Sequence, residues 1–479
     1  MADAAGRTLL NIAASPVELL TAWGEGSRNG KVGAMGPAAG PLVALISGAN
    51  PSSRGRWSIL APITRSPLSS LGEMRAALPQ DAQSDSMADP DAPPFCGGLI
   101  GFISYEFGNV LEPVAARGVA RGAHHAPWPH LQFHRCDAAL VYDHQLSEWW
   151  AVGSAPERAA LAHSASESLA VRPSRSASFM LGALRSRTGR DCFERAVARA
   201  VEYIRAGDIF QANLAHTLTG AFAGSPRHFF AALIKAAAPW YGAYLDVLPS
   251  ASGASPDPRR VICSASPELF LAYDPHTRRV VTRPMKGTVP ASAGEQALRE
   301  SEKDRAELNM IIDLMRSDLG RVSAPASVRV DDARAIELHG HGVGAASVYQ
   351  GVATISGTLA PGLDIIDLLR ATFPAGSITG APKIRAMQVI GELEPADRGP
   401  YCGAIGFISD SGHAAFSVAI RTALLTNESS TYNATGPLRG TCEYSVGAGI
   451  VADSVPALEW QETLAKARII SGLASGGIE

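Results

Sequence analysis

Two apolar runs near the C-terminus, 403–410 (GAIGFISD) and 413–425 (HAAFSVAIRTALL), are separated by only Ser411-Gly412. So short a connection joins antiparallel neighbours, because a parallel crossover needs a dozen or more residues. Similar β-like runs recur at 97–107, 138–144, 259–265, 278–284, 352–359 and 443–453. Helical periodicity is found at 191–206, 226–237, 296–319, 364–371, 381–392 and 456–471. The strands come in adjacent runs instead of alternating one for one with helices, so an α+β chain with largely antiparallel sheets is expected. Glycine and proline (47 and 32 of 479 residues) make up about a sixth of the chain, above the roughly one-eighth average. That excess fits a turn-rich protein with much β structure.

Charge and cysteine usage narrow the function class. With 42 basic and 45 acidic side chains the formal charge is −3, so a nucleic-acid partner is not expected for the chain as a whole. No apolar run approaches about 18 residues, and the N-terminus lacks a basic segment followed by an apolar core. A cytoplasmic protein without a membrane partner is therefore expected. Cysteines 96, 136, 192, 263, 402 and 442 are scattered without a CxxC pair; free thiols are expected, not a disulfide framework. Polar, Pro- or Ser-rich stretches at 79–94, 154–178, 248–260 and 426–440 read as loops. The segment 154–180 is expected to link an N-terminal portion, 1–153, to a motif-dense portion, 181–479. Strands from both portions can still share one sheet.

Several carboxylates and glycines stand out. From Glu307, the residues Met310, Ile311 and Leu314 fall at i+3, i+4 and i+7, so this acid projects from an apolar stripe and needs a cation or donors. Glu459, Glu462 and Lys466 share one face of another helix. Two acids one turn apart suit a hydrated divalent cation, although a solvated Glu462–Lys466 pair fits the same spacing. Gly376, Gly380, Gly447 and Gly449 either bring bare backbone N–H groups to an anion or simply permit turns. His339 and His341 lack a third ligand nearby and read as loop residues. Glu268 and Lys286 lie on two strands expected to join around Asp274-Pro275. They could face each other as a salt bridge, or as an acid beside an amine nucleophile. Only six of the basic residues are lysine (31, 235, 286, 303, 383 and 466), so a lysine in a motif-dense stretch is expected to do what arginine cannot.

The blocks YIRAGDIFQANLAH (203–216), SPELFL (266–271), RPMKGT (283–288), AELNMIIDLMRSDLGRV (306–322), FPAGSITGAPKIRAM (373–387), RGPYCGAIGFI (398–408) and GAGIVADSVPALEWQET (447–463) resemble, in order, those of the chorismate-utilising enzymes. The resemblance implies one large two-layer sandwich of antiparallel sheets with flanking helices. It implies Mg²⁺ held by Glu307, Glu462 and the adjacent Glu459. Tyr401, Arg421, Gly447 and Lys466 are implied as holders of substrate carboxylates, with Gly287 and Thr288 lining the substrate beside Lys286. Glu268 matches the general acid that helps the C4 hydroxyl leave. At Gln211, members that use water have a lysine base, and an amide cannot take up that proton. At Lys286, anthranilate-forming members have a small residue. The lysine implies instead the aminodeoxychorismate type of reaction, in which its amine attacks C2 before ammonia enters at C4. Anthranilate formation and an inactive scaffold are the alternatives. No GxCxGxQ nucleophile elbow is present, so a separate glutamine amidotransferase subunit is the expected ammonia source. Gln350 stands where many members have histidine.

Overall fold

The expected 403–410/413–425 hairpin is present, and it ends in an unexpected way. Ala404–Ser409 and Ala414–Val418 pair antiparallel with Ile405 opposite Ser417. The second run then breaks: Thr422–Asn427 belongs to a different sheet, and Arg421 between them has φ +52°. The computed structural model describes residues 6–23, 40–48, 54–79, 91–116, 128–170, 178–249, 258–340, 347–429 and 436–478. Among these, one sheet has 13 strands and the other 9. Every pairing between named strands is antiparallel, as in Gly98–Ile103 with Ala404–Ser409 and Gln211–Gly224 with Leu438–Ile450. The chain is thus the α+β antiparallel sandwich expected of it.

Two neighbouring segments carry the chain from one sheet to the other. Arg260–Ser266 ends the first passage, and Leu269–Asp274 continues in the smaller sheet. The second passage is the break at 419–421. The corners are stitched together: Ser266 Oγ donates to the Val418 carbonyl (2.6 Å), and the Val418 N–H donates to the Glu268 carbonyl (3.1 Å). The Ala265 N–H donates to the Arg421 carbonyl (3.0 Å). Backbone polar groups at a sheet corner lose their ladder partners, and these bonds replace them. The stitching fixes Glu268 and Arg421 relative to one another.

The two portions of the chain interleave. Leu42–Ile46 pairs with Tyr241–Val247 in the larger sheet, and Gly98–Ile103 pairs with Ala404–Ser409 in the smaller. Val43, Phe102, Ile262, Ile405 and Leu424 fill the space between the sheets, each contributing about 1.5–3 kcal/mol by burial. Helices Pro16–Ala22, Ala155–Ala170 and Pro226–Ala237 cover the outside of the larger sheet around Phe229, Phe230 and Tyr244. Glu302–Gly320, Ile365–Thr372 and Lys383–Leu393 form a second helical layer, in which Ile311, Leu369 and Val389 share a core with Phe270, Val280 and Ile355 of the smaller sheet. No helix among the described residues is long and apolar enough to cross a membrane.

Within the expected 154–180 connection, Ala155–Ala170 is a 16-residue helix. It buries Leu161, Ser164, Ala165 and Ser168, a stripe at i, i+3, i+4 and i+7 made mostly of small residues. That stripe packs against Ala138–Asp143 and Glu148–Gly153. The 296–319 helix is two helices, Glu295–Glu300 and Glu302–Gly320, because Ser301 between them caps the second through Asp304 N–H (3.2 Å). The 456–471 helix likewise divides, at Ala467.

Candidate active site

Gly447 and Gly449 lie two apart on the strand Leu438–Ile450, so both face the same way, while Ala448 between them is fully buried on the opposite side. A Cβ on Gly449 would sit 2.9 Å from Lys286 Nζ and 2.5 Å from Gln211 Nε2. A Cβ on Gly447 would meet the Tyr401 hydroxyl at 3.0 Å and Asn213 Nδ2 at 3.1 Å. The missing side chains are therefore what lets a lysine, a phenol and two amides reach one strip of backbone. Lys466 closes that strip from the helix Pro456–Lys466 by donating to the Gly447 carbonyl (2.8 Å).

Lys286 reaches this strip from the smaller sheet. Its strand, Met285–Pro290, pairs with Val348–Thr358, with Lys286 opposite Gly351. Leu269–Asp274 and Arg279–Arg283 do form the expected hairpin around Asp274-Pro275, but Lys286 lies beyond Pro284 on the next strand. Lys286 and Glu268 are therefore not cross-strand partners. The two meet by charge across the cleft, where Lys286 favours the ionised form of Glu268. Gly287, at φ +79°, lets the strand pass Leu298 and Asp304, which a Cβ would meet at 2.6 and 2.8 Å. Thr288 accepts from Gln350 Nε2 (3.1 Å).

Glu268 is almost wholly buried, at 3% exposed. Burial pushes its carboxyl up to about 7, against the opposing pull of the Ser377 hydroxyl and of Lys286. Ser377 Oγ donates to Glu268 Oε1 at 2.5 Å. A carboxyl tuned to that range can give up or accept a proton near neutral pH.

Three further acids approach from two helices. Burial raises Glu307, against Lys286 and Lys303. Burial also raises Glu459, opposed by a hydrogen bond from Ser454, and its Oε2 has no hydrogen-bond partner. Burial pushes Glu462 the same way but is outweighed, first by Lys466 at 2.7 Å and then by Lys286 and Lys303, so its carboxyl sits low. Among the described residues the three carboxylates do not converge within 4.8 Å of one another. Hard oxygen donors, mutual repulsion between Glu459 and Glu462 and an orphaned buried oxygen fit a hydrated divalent cation. The Glu462–Lys466 pair allowed by the spacing is also formed.

Arg421 lies deeper, beside Tyr444, whose hydroxyl is buried without a partner, and near His339. Tyr401 is buried, and burial drives its phenol well above the usual range, so it stays a neutral hydrogen-bonding group.

Several expectations are revised. Gly376 and Gly380 serve packing: a Cβ on Gly376 would meet Leu314 at 2.7 Å, and one on Gly380 would strike the Gln211 carbonyl at 2.1 Å. Lys383 is structural. Its ammonium donates to Asp318 (2.5 Å) and to the carbonyls of Thr372 (2.9 Å) and Pro374 (2.7 Å). Such a three-way grip suits an ammonium and not a planar fork. His339 ends the strand Arg329–His339 and packs edge-on to Trp240; His341 lies outside the described residues. Ser377, Asn213 and the paired state of Gln350 were not singled out by sequence. Ser377 lay inside a recognised block, but nothing in its spacing pointed at Glu268, 109 residues away.

Residues 53–472 match the family described as chorismate binding enzyme. The aminodeoxychorismate synthase component 1 of Klebsiella aerogenes is 34% identical over 458 residues, covering 90% of this chain and 93% of that protein. The anthranilate synthase component 1 of Streptomyces coelicolor is 36% identical over 407 residues, covering 79% and 73%. Among solved structures, anthranilate synthase component I from Streptococcus pneumoniae is similar at a TM-score of 0.69 and 25% identity, over 98% of this chain and 100% of that one. Relatives of both activities thus lie at similar identity. The chain belongs to the chorismate binding enzyme family.

Proposed function

We propose that this chain is the chorismate-aminating component of an aminodeoxychorismate synthase. The observation that carries the reading is the position of Lys286, whose ammonium stands over Gly449 beside Gln211. In the proposed reaction the neutral Lys286 amine forms a bond to C2 of chorismate. The ring double bonds shift, and the C4–O bond breaks. The hydroxyl leaves as water with the proton of Glu268. Ammonia then bonds to C4 as the C2–N bond breaks and returns the lysine amine, and the proton shed by the new C4 ammonium restores the Glu268 carboxyl. The balance is chorismate plus ammonia to 4-amino-4-deoxychorismate plus water.

The neighbouring groups have consistent tasks. Tyr401, Lys466 and the Gly447 backbone hold one substrate carboxylate, and Arg421 holds another at the sheet corner. Glu307, Glu459 and Glu462 would hold Mg²⁺, which when bound supplies positive charge to clamp the ring carboxylate. Gln211 orients without acting as a base, which disfavours hydration of the ring. Ammonia is supplied by a separate glutamine amidotransferase subunit, and the product is destined for 4-aminobenzoate and folate synthesis in the cytoplasm.

Anthranilate formation is the second reading, favoured by relatives of that activity at equal identity. The purified chain with chorismate, Mg²⁺ and ammonium distinguishes them. The proposal requires 4-aminobenzoate that depends on an added aminodeoxychorismate lyase, with no anthranilate fluorescence. Anthranilate as the product selects the second reading.

A further inference from the structure

At one end of the smaller sheet, two turns bring three metal-ligating side chains together outside the chorismate cleft. Asp274 and His276 lie where the Leu269–Asp274 strand turns towards Arg279–Arg283. His413 lies just after the Ser411-Gly412 turn, beside them because Leu269–Asp274 pairs with Ala414–Val418. One ligand atom from each lies within 4.8 Å of the other two. His413 Nε2 is 3.8 Å from Asp274 Oδ1, and the two imidazole centroids are 5.4 Å apart at 63°. Donors around tetrahedral zinc at about 2.0–2.1 Å are about 3.3 Å apart. The three therefore need to close by at most about 1.5 Å, within reach of side-chain rotations at partly exposed turns.

The hydrogen bonds around the cluster prepare it for a cation. The Asp274 carboxylate accepts from the His276 backbone N–H (2.9 Å) at Oδ1 and from the Thr277 hydroxyl (2.7 Å) at Oδ2, which fixes its plane. The neighbouring serine hydroxyls favour one His413 tautomer. The Ser411 hydroxyl has two acceptors for its proton, Ser409 Oγ (3.0 Å) and the Pro94 carbonyl (3.4 Å). With its proton so used, the Ser411 oxygen accepts from His413 Nδ1–H (3.1 Å). The Nε2 lone pair is then left facing Asp274. An imidazole whose far nitrogen is anchored by a donated bond is the arrangement that orients a metal ligand.

We propose that Asp274, His276 and His413 bind one zinc ion, with an open fourth position for water. Two imidazoles and one carboxylate suit zinc and not a hard cation that prefers all-oxygen ligands. The ion would clip two hairpin turns of one sheet. Glu268 lies at the opposite end of the same strand, roughly 20 Å away at about 3.3 Å per residue, so the site is separate from the Glu307, Glu459 and Glu462 cluster.

The test uses the full-length, untagged chain, stripped with chelator and then held in excess Mg²⁺ to occupy the carboxylate cluster. Zn²⁺ is titrated by calorimetry, with Co²⁺ absorption as a second probe of ligand geometry. The expected result is one ion per chain, a melting temperature that rises with Zn²⁺ concentration, and loss of both in His276→Ala and in His413→Ala. Ser411→Ala keeps all three ligands and is expected to weaken binding by about 10–100-fold. His276 is exposed in a turn, so His276→Ala folds and keeps the ammonium-dependent turnover of chorismate. No saturable Zn²⁺ binding, or the same isotherm for the chain and for His276→Ala, overturns the proposal.

Discussion

Removing the Ser377 hydroxyl is predicted to move the pH profile of the first chemical half-reaction. Glu268 is held near 7 by two opposed influences: burial raises its carboxyl, and the Ser377 hydrogen bond with Lys286 lowers it. The bond is short, buried and made to a group that is charged in one of its two states, so its loss is worth about 1.5–3 kcal/mol to the ionised form. At 1.36 kcal/mol per pH unit, Ser377→Ala moves the titration up by about one to two pH units. A general acid must be protonated to act, so activity falls as pH rises through its titration. The descending limb should therefore move to higher pH in the variant. The assay is rapid-mixing consumption of chorismate without ammonia, from about pH 5 to about pH 9.5, which keeps the ionisation of ammonium out of the profile. Glu268→Gln serves as a control, with low activity and no such limb. A limb that stays in place in Ser377→Ala refutes the assignment of Glu268 as the acid.

Further predictions follow from single contacts. Glu268→Gln is expected to stabilise the fold at alkaline pH. The folded carboxyl titrates near 7 and its ordinary value is 4.5, so the folded state holds the extra proton between those values. Stability is then lost as pH rises through that window, by about 3 kcal/mol in all. Denaturant melts at acid and alkaline pH test this; an equal pH slope in the chain and the variant contradicts it. Gly449→Ala places a methyl 2.9 Å from Lys286 Nζ and 2.5 Å from Gln211 Nε2. Both are side-chain ends that can swing away, so the melting temperature should barely change, while turnover drops about 10²-fold from misplacement of the amine. Lys383→Met removes the nearer of the two cations on buried Asp318, leaving Arg321 at 3.3 Å, and is expected to cost about 3 kcal/mol, the low end for a broken buried pair, read as a lower denaturation midpoint. A midpoint unchanged from the parent chain would show that Lys383 is not the support described.

The legible part of the fold was the part written in local pattern. The Ser411-Gly412 connection identified an antiparallel hairpin, and apolar periodicity located Pro226–Ala237 and Arg190–Arg205 within a residue or so. The switch of the 413–425 run between sheets was hidden, because its reason is long-range: Val418 and Arg421 bond to the other corner, around 265–268. The strand Gln211–Gly224 was missed because its buried face interrupts Leu214, Leu218 and Phe222 with His216 and Gly220, while alanines on the opposite face blur the contrast. The helix at 155–170 was masked by the same weakness, a stripe of serine and alanine where leucine would have announced it. For the site, family blocks named Lys286, Glu268 and the acids, but not their partners. Ser377 and Asn213 join the site only once the two sheets are superposed, and no spacing in the sequence encodes that meeting. The scarcity of lysine marked Lys286, which stands over Gly449, and was misleading for Lys383, whose neighbours ask for three donors and not for a lost proton.

Covalent attack by Lys286 separates this account from its alternatives, and intact-mass spectrometry reads it directly. The purified chain is mixed with chorismate and Mg²⁺ in the absence of ammonia and quenched. The account predicts a protein species heavier by chorismate less one water, localised to Lys286 by peptide mapping, absent from Lys286→Ala and discharged when ammonium is added. A chain that converts chorismate with ammonium yet never carries that adduct, and whose Lys286→Ala variant turns over equally fast, contradicts it.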